Sequence, residues 1–572
     1  MRATRPGLGL LLLLPIGLWM AAGFFLPMGT VAALSVQADT SVFAELGFDL
    51  SLEHFGAILV DPYYLKILFD TLAMGVVVTL ASALIGVPIA LWLAGLPGRW
   101  RALGMAVVVI PLLTNVVVRS LGLMQALAPD GALATILALI SGQDRVNLLF
   151  SPFAVGVALV QVFMPFLVLS LYDTLVGLDK RLDEAADSLG ARPVTRFFTV
   201  TWPQLLPGLR AGMSIVFLMA TTAYVSASLL GGKKVFVAGM VVFEEAMQIL
   251  NYPFASAMAM VLLGVTSLGV VLIDRLFARA MPWRSGRTKP VNRQLSGPLP
   301  EMVVTVMEWI APSLRRALLV LGWLVLLYPL VLVVVNSVNN VPQATAGAWK
   351  GFTLRWYEQI LNEGSFYLDA ALISGQLALA STVAALALAL PAAFAIVRHP
   401  PVPKGTLMAL FMLPLALPGI AFAIGMLKLL QIFFLIPPFL GLVIVHAVLI
   451  LPFVLSMLRT SVEALDPRLE EAAGGLGATP LRVFRHVVLP LMLPGLAAGG
   501  IVAFLISFGE VTVTAFLSSA RMQTLPVRIY ADAQFDVLPT INVVSTLMIV
   551  ATIALLLLLN KVMPLDRVWQ KR

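Results

Sequence analysis

The chain has 572 residues, 60% hydrophobic and 12% charged, with a formal net charge of +8 and a mean hydropathy of +0.98. Soluble proteins carry roughly a quarter charged residues, so this chain has too little charge to solvate so large a body, and its main solvent is lipid. The absence of cysteine excludes disulfides, thiolate metal sites and thiol catalysis, and leaves the redox compartment open.

Apolar runs such as Leu8 to Pro27 reach the ~20 residues that a bilayer core demands. They are continuous rather than alternating, so they predict helices and not a barrel. The first is too long for a typical signal-peptide core and is read as a retained signal-anchor helix. Hydropathy places twelve spans near 8–36, 66–95, 102–128, 150–175, 209–231 and 254–280, then near 316–337, 367–397, 405–434, 438–459, 494–516 and 541–563.

Charge orients them. Arg2, Arg5, Arg99, Arg101, Lys180, Arg181, Arg192, Arg196, Arg284, Arg287, Arg398, Lys404, Arg468, Arg482 and Arg485 fall on one side, while Asp39, Glu45, Asp49, Glu53 and Asp61 crowd a loop on the other. Lys/Arg enrichment marks the cytoplasmic side, so both termini are expected there. The basic excess thus reads as topology and headgroup contact, not as a nucleic-acid footprint. Pro282 to Pro300 is Pro-, Gly- and Ser-rich and basic, and reads as a linker; the following Glu301–Arg316 has the character of a short amphipathic helix at the inner surface. The expected organisation is a first half over 1–281, a basic cytoplasmic linker over 282–314 and a second half over 315–572.

The halves repeat. Residues 184–208 and 471–495 align at a constant offset of 287, with 13 of 25 positions identical, and both copies fall on the cytoplasmic side. The repeat is therefore parallel, about an axis along the membrane normal, with a pathway expected between the halves. Each copy reads as helix, turn, helix. Asp179 and Asp466 are natural N-caps, Gly190 and Gly477 suit a C-terminal position of positive φ, and Pro193 and Pro480 are acceptable in a first turn. The sequences "WPQLLPG" and "LPLMLPG" are expected to break the helix before the next span. Such a loop can merely cap two spans, but two copies in register are better explained as docking sites for a partner protein.

These loops resemble the EAA loop of inner-membrane permeases of binding-protein-dependent ABC importers: Glu184-Ala185-Ala186 with Gly190, Pro203 and Leu206-Pro207, and Glu471-Ala472-Ala473 with Gly477, Leu489-Pro490 and Leu493-Pro494. Stretches along both halves are similar to the first and second permeases of polyamine-type importers, fused here into one chain. The resemblance implies an all-α polytopic fold of the type I importer permease class, with about 12 transmembrane helices in two pseudo-symmetric six-helix halves. It implies that Glu184, Ala185, Ala186, Gly190, Pro193, Glu471, Ala472, Ala473, Gly477 and Pro480 couple to a dimer of separate ATPase subunits. A periplasmic or extracellular binding protein would deliver a small-molecule substrate, and the location would be a bacterial inner membrane. No cofactor is expected on this chain. ATP and Mg²⁺ belong to the ATPase, since the lone Gly232-Lys233 pair lacks the flanking Gly and Ser/Thr of a phosphate-binding loop.

Ionisable groups inside spans default to functional candidates. Glu510 is the sharpest, with Ser507 three residues earlier on the same expected helical face. Arg119 follows Asn115 at helical spacing, and either lines the pathway or pairs with a carboxylate. Tyr224, Phe217, Phe504 and Phe508 are gate or core aromatics, Lys428 is expected to snorkel, and Glu244 and Glu245 lie in an external loop, docking a binding protein or simply solvated. Polyamine-type second permeases resemble this chain around Glu510 but carry acids where it has Gly509 and Gly419. That departure favours a substrate less positively charged than spermidine or putrescine: a polyamine-like, aminophosphonate or amino acid-derived solute. A ferric-iron or thiamine permease is the alternative, followed by a secondary transporter, which would need a cluster of intramembrane acids.

Overall fold

The computed structural model describes residues 6–38, 50–142, 146–281, 301–343, 348–363, 365–432, 436–519, 522–535 and 538–562. The expected linker over 282–300 and both extreme termini lie outside them. The described chain is helical, and its principal helices fall into two series. In the first, α1 is Gly7–Ser35, α2 Pro62–Gly95, α3 Gly98–Leu113, α4 Val116–Leu127, α5 Pro152–Val176, α6 Lys180–Ser188, α7 Pro193–Thr222, α8 Val225–Gly231, α9 Ala238–Glu244 and α10 Tyr252–Ala280. In the second, α11 is Glu301–Ser337, α12 Ser365–Arg398, α13 Lys404–Ala416, α14 Gly419–Ile432, α15 Pro438–Ala464, α16 Pro467–Gly475, α17 Pro480–Phe508, α18 Thr514–Leu517, α19 Leu525–Phe535 and α20 Thr540–Val562. Each helix of the first series has its counterpart ten labels later.

Among the described residues, ten helices are long and apolar enough to cross a membrane, or up to 12 if each bent pair is one span. Two of the expected spans are the bent pairs. Residues 98–127 fold as α3 and α4 with a 97° bend, and 404–432 as α13 and α14 with an 82° bend. Local chemistry explains both. Asn115 leaves helical geometry (φ −52°, ψ 139°) and its Oδ1 accepts from the N–H groups of Val117 at 2.7 Å and Val118 at 3.3 Å, capping α4. In the second half Leu417 precedes Pro418 and takes the extended conformation that a following proline imposes (φ −106°, ψ 149°).

The expected helix break at "WPQLLPG" and "LPLMLPG" is absent. Helix α7 runs unbroken through Pro203 and Pro207, and α17 through Pro490 and Pro494, because each contains a widened π turn, Phe197–Thr201 and Phe484–Val488. The Trp202 N–H donates to Phe197 O and the Leu489 N–H to Phe484 O, one residue further back than in an α-helix. The same shift occurs at the same register in both halves. Residues 301–314, expected within the linker, are helical and open α11 directly.

Helices α5 and α15 form the centres of the halves: 72% and 67% of their apolar windows are buried, against 28% in α11. Around α5 pack α2 and α7; around α15 pack α12 and α17. The first helix of each half crosses to the other. Helix α11 lies against α4 and α2 of the first half, and α1 against α12 and α14 of the second. Small residues permit this approach, as is usual between membrane helices.

Candidate functional site

The helix breaks meet between the halves. The Asn115 amide bridges from the α3–α4 break, Nδ2 donating to Gly509 O at 2.7 Å in the break between α17 and α18. Gly419, in the α13–α14 break, faces Thr512 and Val513 of that same segment. Gly239 of α9 lies close to Ala223 and Tyr224 in the α7–α8 break and to Ile420 of α14. Non-helical backbone at membrane depth persists only where protein or a polar cavity satisfies it, so this junction is the natural candidate for a polar pathway.

Glu510 sits in it, beyond the end of α17 rather than inside a helix, and this corrects the expected shared face with Ser507. Its carboxylate accepts from the N–H groups of Val513 at 2.8 Å and Thr514 at 2.9 Å, and from the Thr514 hydroxyl. Ser507 instead meets His446. The His446 Nδ1 lies 2.8 Å from Ser507 Oγ, and its Nε2 lies 2.9 Å from Thr514 Oγ1. The Thr514 hydroxyl donates to the Glu510 carboxyl, so its oxygen remains to accept from His446 Nε2–H, and in that tautomer Nδ1 accepts from the Ser507 hydroxyl. A relay of hydrogen bonds thus joins α15, α17 and α18. His446 is 1% exposed in the body of α15, and nothing in the sequence around it marks its partners.

Tyr224 is buried beside this junction. Its ring stacks on Phe243 at 4.9 Å and meets Phe516 and Tyr530 edge-on at 6.3 and 6.1 Å. Two rings come from each half, and Phe243 and Tyr530 occupy equivalent positions at the offset of 287. Phe243, Phe516 and Tyr530 were not singled out in the sequence, because nothing local marks an aromatic that meets another across the halves. Phe217 packs instead against Gly75 and Gly269 within the first half, and Phe504 stacks on Phe508 at 5.7 Å.

Arg119 is buried, and its Nη1 points to Val162 O of α5 at 3.5 Å. Among the described residues it forms no ion pair, with Glu510 or any other carboxylate, so of its two readings the carboxylate pair is not seen there. Lys428 does not snorkel. It is 3% exposed, with Nζ 3.3 Å from the centroid of the Tyr252 ring. Glu244 ends α9 and Glu245 follows it, where burial, then the Glu244 charge, pushes the Glu245 carboxyl above the usual carboxylate range.

The repeated loops form a second constellation. Asp179 caps α6 through the Arg181 N–H at 3.0 Å, and Asp466 caps α16 through the Arg468 N–H at 2.9 Å. Gly190 and Gly477 follow these helices with φ of +75° and +85°. Pro193 and Pro480 open the next helices. Glu184, Ala185, Glu471 and Ala472 are exposed, Ala186 and Ala473 half-buried. The residues immediately before the glycines, Leu189 and Leu476, are 88% and 90% exposed. The sequence reading missed them, though two leucines at one register in a charged loop were a usable signal.

The binding-protein-dependent transport system inner membrane component family matches residues 86–283 and again 382–565. The chain belongs to this family. The permease domain therefore occurs twice in one polypeptide. Relatives are single-domain in scale. The spermidine/putrescine transport system permease protein PotB of Escherichia coli (strain K12) is 32% identical over 271 residues, covering 47% of this chain and 94% of the relative. PotB of Salmonella typhimurium (strain SL1344) is 31% identical over 280 residues, 49% of this chain and 93% of the relative. PotC of Haemophilus influenzae is 30% identical over 245 residues, 43% and 94%. A solved bacterial alginate ABC transporter, in complex with its alginate pentasaccharide-bound periplasmic protein, is 18% identical with a TM-score of 0.40, covering 47% of this chain and 93% of that one. The permease is an all-helical, multi-pass inner-membrane protein.

Proposed function

We propose that this chain carries a small amine-containing solute through the junction of its helix breaks, and that it draws on a separate ATPase docked on α6 and α16. The observation that carries the docking is the pair of exposed leucines, Leu189 and Leu476, held at one register by one local design in two loops. An apolar side chain nearly fully exposed next to a rigid turn costs solvation and gains it back when a partner covers it. The ATPase would supply ATP and Mg²⁺, and a binding protein, as the family description implies, would present the solute at the opposite face, where Glu244 and Glu245 are available. Both termini and both loops would be cytoplasmic, by the Lys/Arg asymmetry.

The names of the relatives favour a polyamine-like amine over ferric iron or thiamine. The site is compatible with an ammonium group: Glu510 offers the negative charge, and Tyr224, Phe243, Phe516 and Tyr530 offer aromatic surfaces that attract cations. In the described conformation the carboxylate is held by its own backbone, so a solute must displace the Thr514 hydroxyl to reach it. Closure of the ATPase would push α6 and α16, and because α7 and α17 continue from these loops into the breaks, it would move both halves about the junction.

The test is reconstitution with the cognate ATPase and binding protein in proteoliposomes. Labelled putrescine, spermidine and aminoalkyl acids should compete for one ATP-driven uptake. Replacing Leu189 and Leu476 together by Asp should release the ATPase on size-exclusion chromatography. A complex that survives intact would refute the docking surface.

A further inference from the structure

The two loops match in sequence but not in how they are fastened. In the second half Arg398, the last residue of α12, turns back to α16. Its Nε donates to Glu470 Oε1 at 3.0 Å and its Nη2 to Leu465 O at 2.9 Å. The pair is enclosed, with 12% of the Arg398 side chain and 4% of the Glu470 side chain exposed. One guanidinium therefore ties the end of α12, the C-cap of α15 and the start of α16 together.

Among the described residues, the first half has no ion pair at the positions matching Arg398 and Glu470. The residue ending α2 is Gly95, and the position matching Glu470 is Asp183, which accepts only a 3.4 Å contact from the Thr201 hydroxyl and makes no ion pair among the described residues. Arg101, the nearby arginine, donates to Leu96 O at 3.0 Å at the end of α2 and hydrogen-bonds the Tyr172 side chain of α5, so it joins α2 to α5. The first loop is instead stapled to itself: Arg196 pairs with Asp187, linking α6 to the beginning of α7, with the two side chains 33% and 54% exposed. The matching residues in the second loop are Val483 and Gly474.

We propose that the two ATPase-facing loops are mechanically unequal, α16 being latched to the body of the second half through Arg398–Glu470, whereas α6 rides with α7 alone. Arg398 is then a positioning residue for energy coupling. A push on α16 is transmitted at once to α12 and α15, because a buried charge pair resists separation far more than an exposed one. A push on α6 is transmitted only along α7. The proposal rests on the docking reading above.

The native chain has no cysteine, so Leu189→Cys and Leu476→Cys each give a single label site. In the full-length protein in nanodiscs, a spin label at 476 should be less mobile than one at 189. Removing one partner alone would strand a buried charge, so the informative variant is Arg398→Met with Glu470→Met, which keeps the bulk and removes both charges. It should bring the mobility at 476 up to that at 189 and leave 189 unchanged. In the complex with its ATPase it should lower cross-linking at 476 at least fivefold, leave cross-linking at 189 within twofold, and raise ATP hydrolysed per solute imported at least threefold. Gly95→Arg with Asp183→Glu should in turn slow the label at 189. Equal mobility of the two labels in the parent, or unchanged mobility at 476 in the double Met variant, overturns the latch whatever the ATPase does. Absence of cross-linking at both positions in a parent with a rigid 476 label overturns the docking reading, and with it the coupling role, while leaving the ion pair as a fold contact.

Discussion

Gly122 lies so close to Pro329 that a methyl group at residue 122 would stand 2.1 Å from the Pro329 carbonyl oxygen. The equivalent contact recurs at Gly425, whose added methyl would stand 2.3 Å from Pro27 O. These are the seams where the first helix of each half is handed to the other. Backbone cannot retreat as a flexible side chain can, so the contact requires glycine.

Gly122→Val and Gly425→Val should therefore each separate α11 from α4, or α1 from α14. Overpacking of this kind costs about 1–3 kcal/mol. Thermal unfolding in detergent should show a lower melting temperature for both, and additive lowering in the double variant, since the seams are distinct. An unchanged melting temperature in either would contradict the close approach.

The turn glycines of the loops make a different demand. A Cβ at Gly190 or Gly477 meets nothing within 4 Å, so space is not the constraint; the positive φ is. Gly190→Val and Gly477→Val should insert normally yet lose at least tenfold in uptake, because a β-branched residue pays about 1–3 kcal/mol in that conformation. Gly190→Asn and Gly477→Asn should retain most activity, as Asn tolerates it. Equal loss with Val and Asn would point to a steric role instead.

For Glu510, the carboxylate both caps α18 and offers the charge in the junction. Glu510→Gln should lower uptake at least tenfold, matching the loss of a charge-assisted contact at roughly 1.5–3 kcal/mol, while basal ATP hydrolysis persists. Because Arg119 points to Val162 O rather than to a carboxylate, Arg119→Gln should not rescue Glu510→Gln. Recovery of expression and uptake in that double variant would reinstate an ion pair between them.

Thr514→Val removes the hydroxyl that joins His446 to Glu510 and leaves both backbone bonds to the carboxylate in place. Uptake should change more than stability: a few-fold shift in the apparent affinity for solute, with a melting temperature close to that of the parent. A large drop in melting temperature with unaltered apparent affinity would make the relay a structural network only.

Topology is tested with Ser51→Cys and Ser285→Cys, the latter in the linker outside the described residues. The two should label from opposite sides of sealed vesicles. Labelling of both by an impermeant reagent from outside would overturn the orientation drawn from the Lys/Arg asymmetry.

The sequence by itself determined what is local or compositional. Lipid as solvent followed from the charge content, the parallel repeat from a constant offset, and the loop design from local backbone chemistry: the caps Asp179 and Asp466 and the positive-φ glycines Gly190 and Gly477. Tertiary structure alone decided which helices meet. The spans are mostly apolar on all faces and lipid is as apolar as the protein interior, so periodicity does not tell one neighbour from another. The exchange of α1 and α11, the placing of His446 between Ser507 and Thr514, and the aromatic meeting of Tyr224 with Phe516 thus had no signature in the text. The breaks at Asn115 and Pro418 did, but a hydropathy window averages over two residues. The latch between Arg398 and Glu470 lay furthest from view: the residues stand 72 positions apart, and only the packing of α12 beside α15 brings an ordinary surface arginine and an ordinary loop glutamate into one enclosed pair.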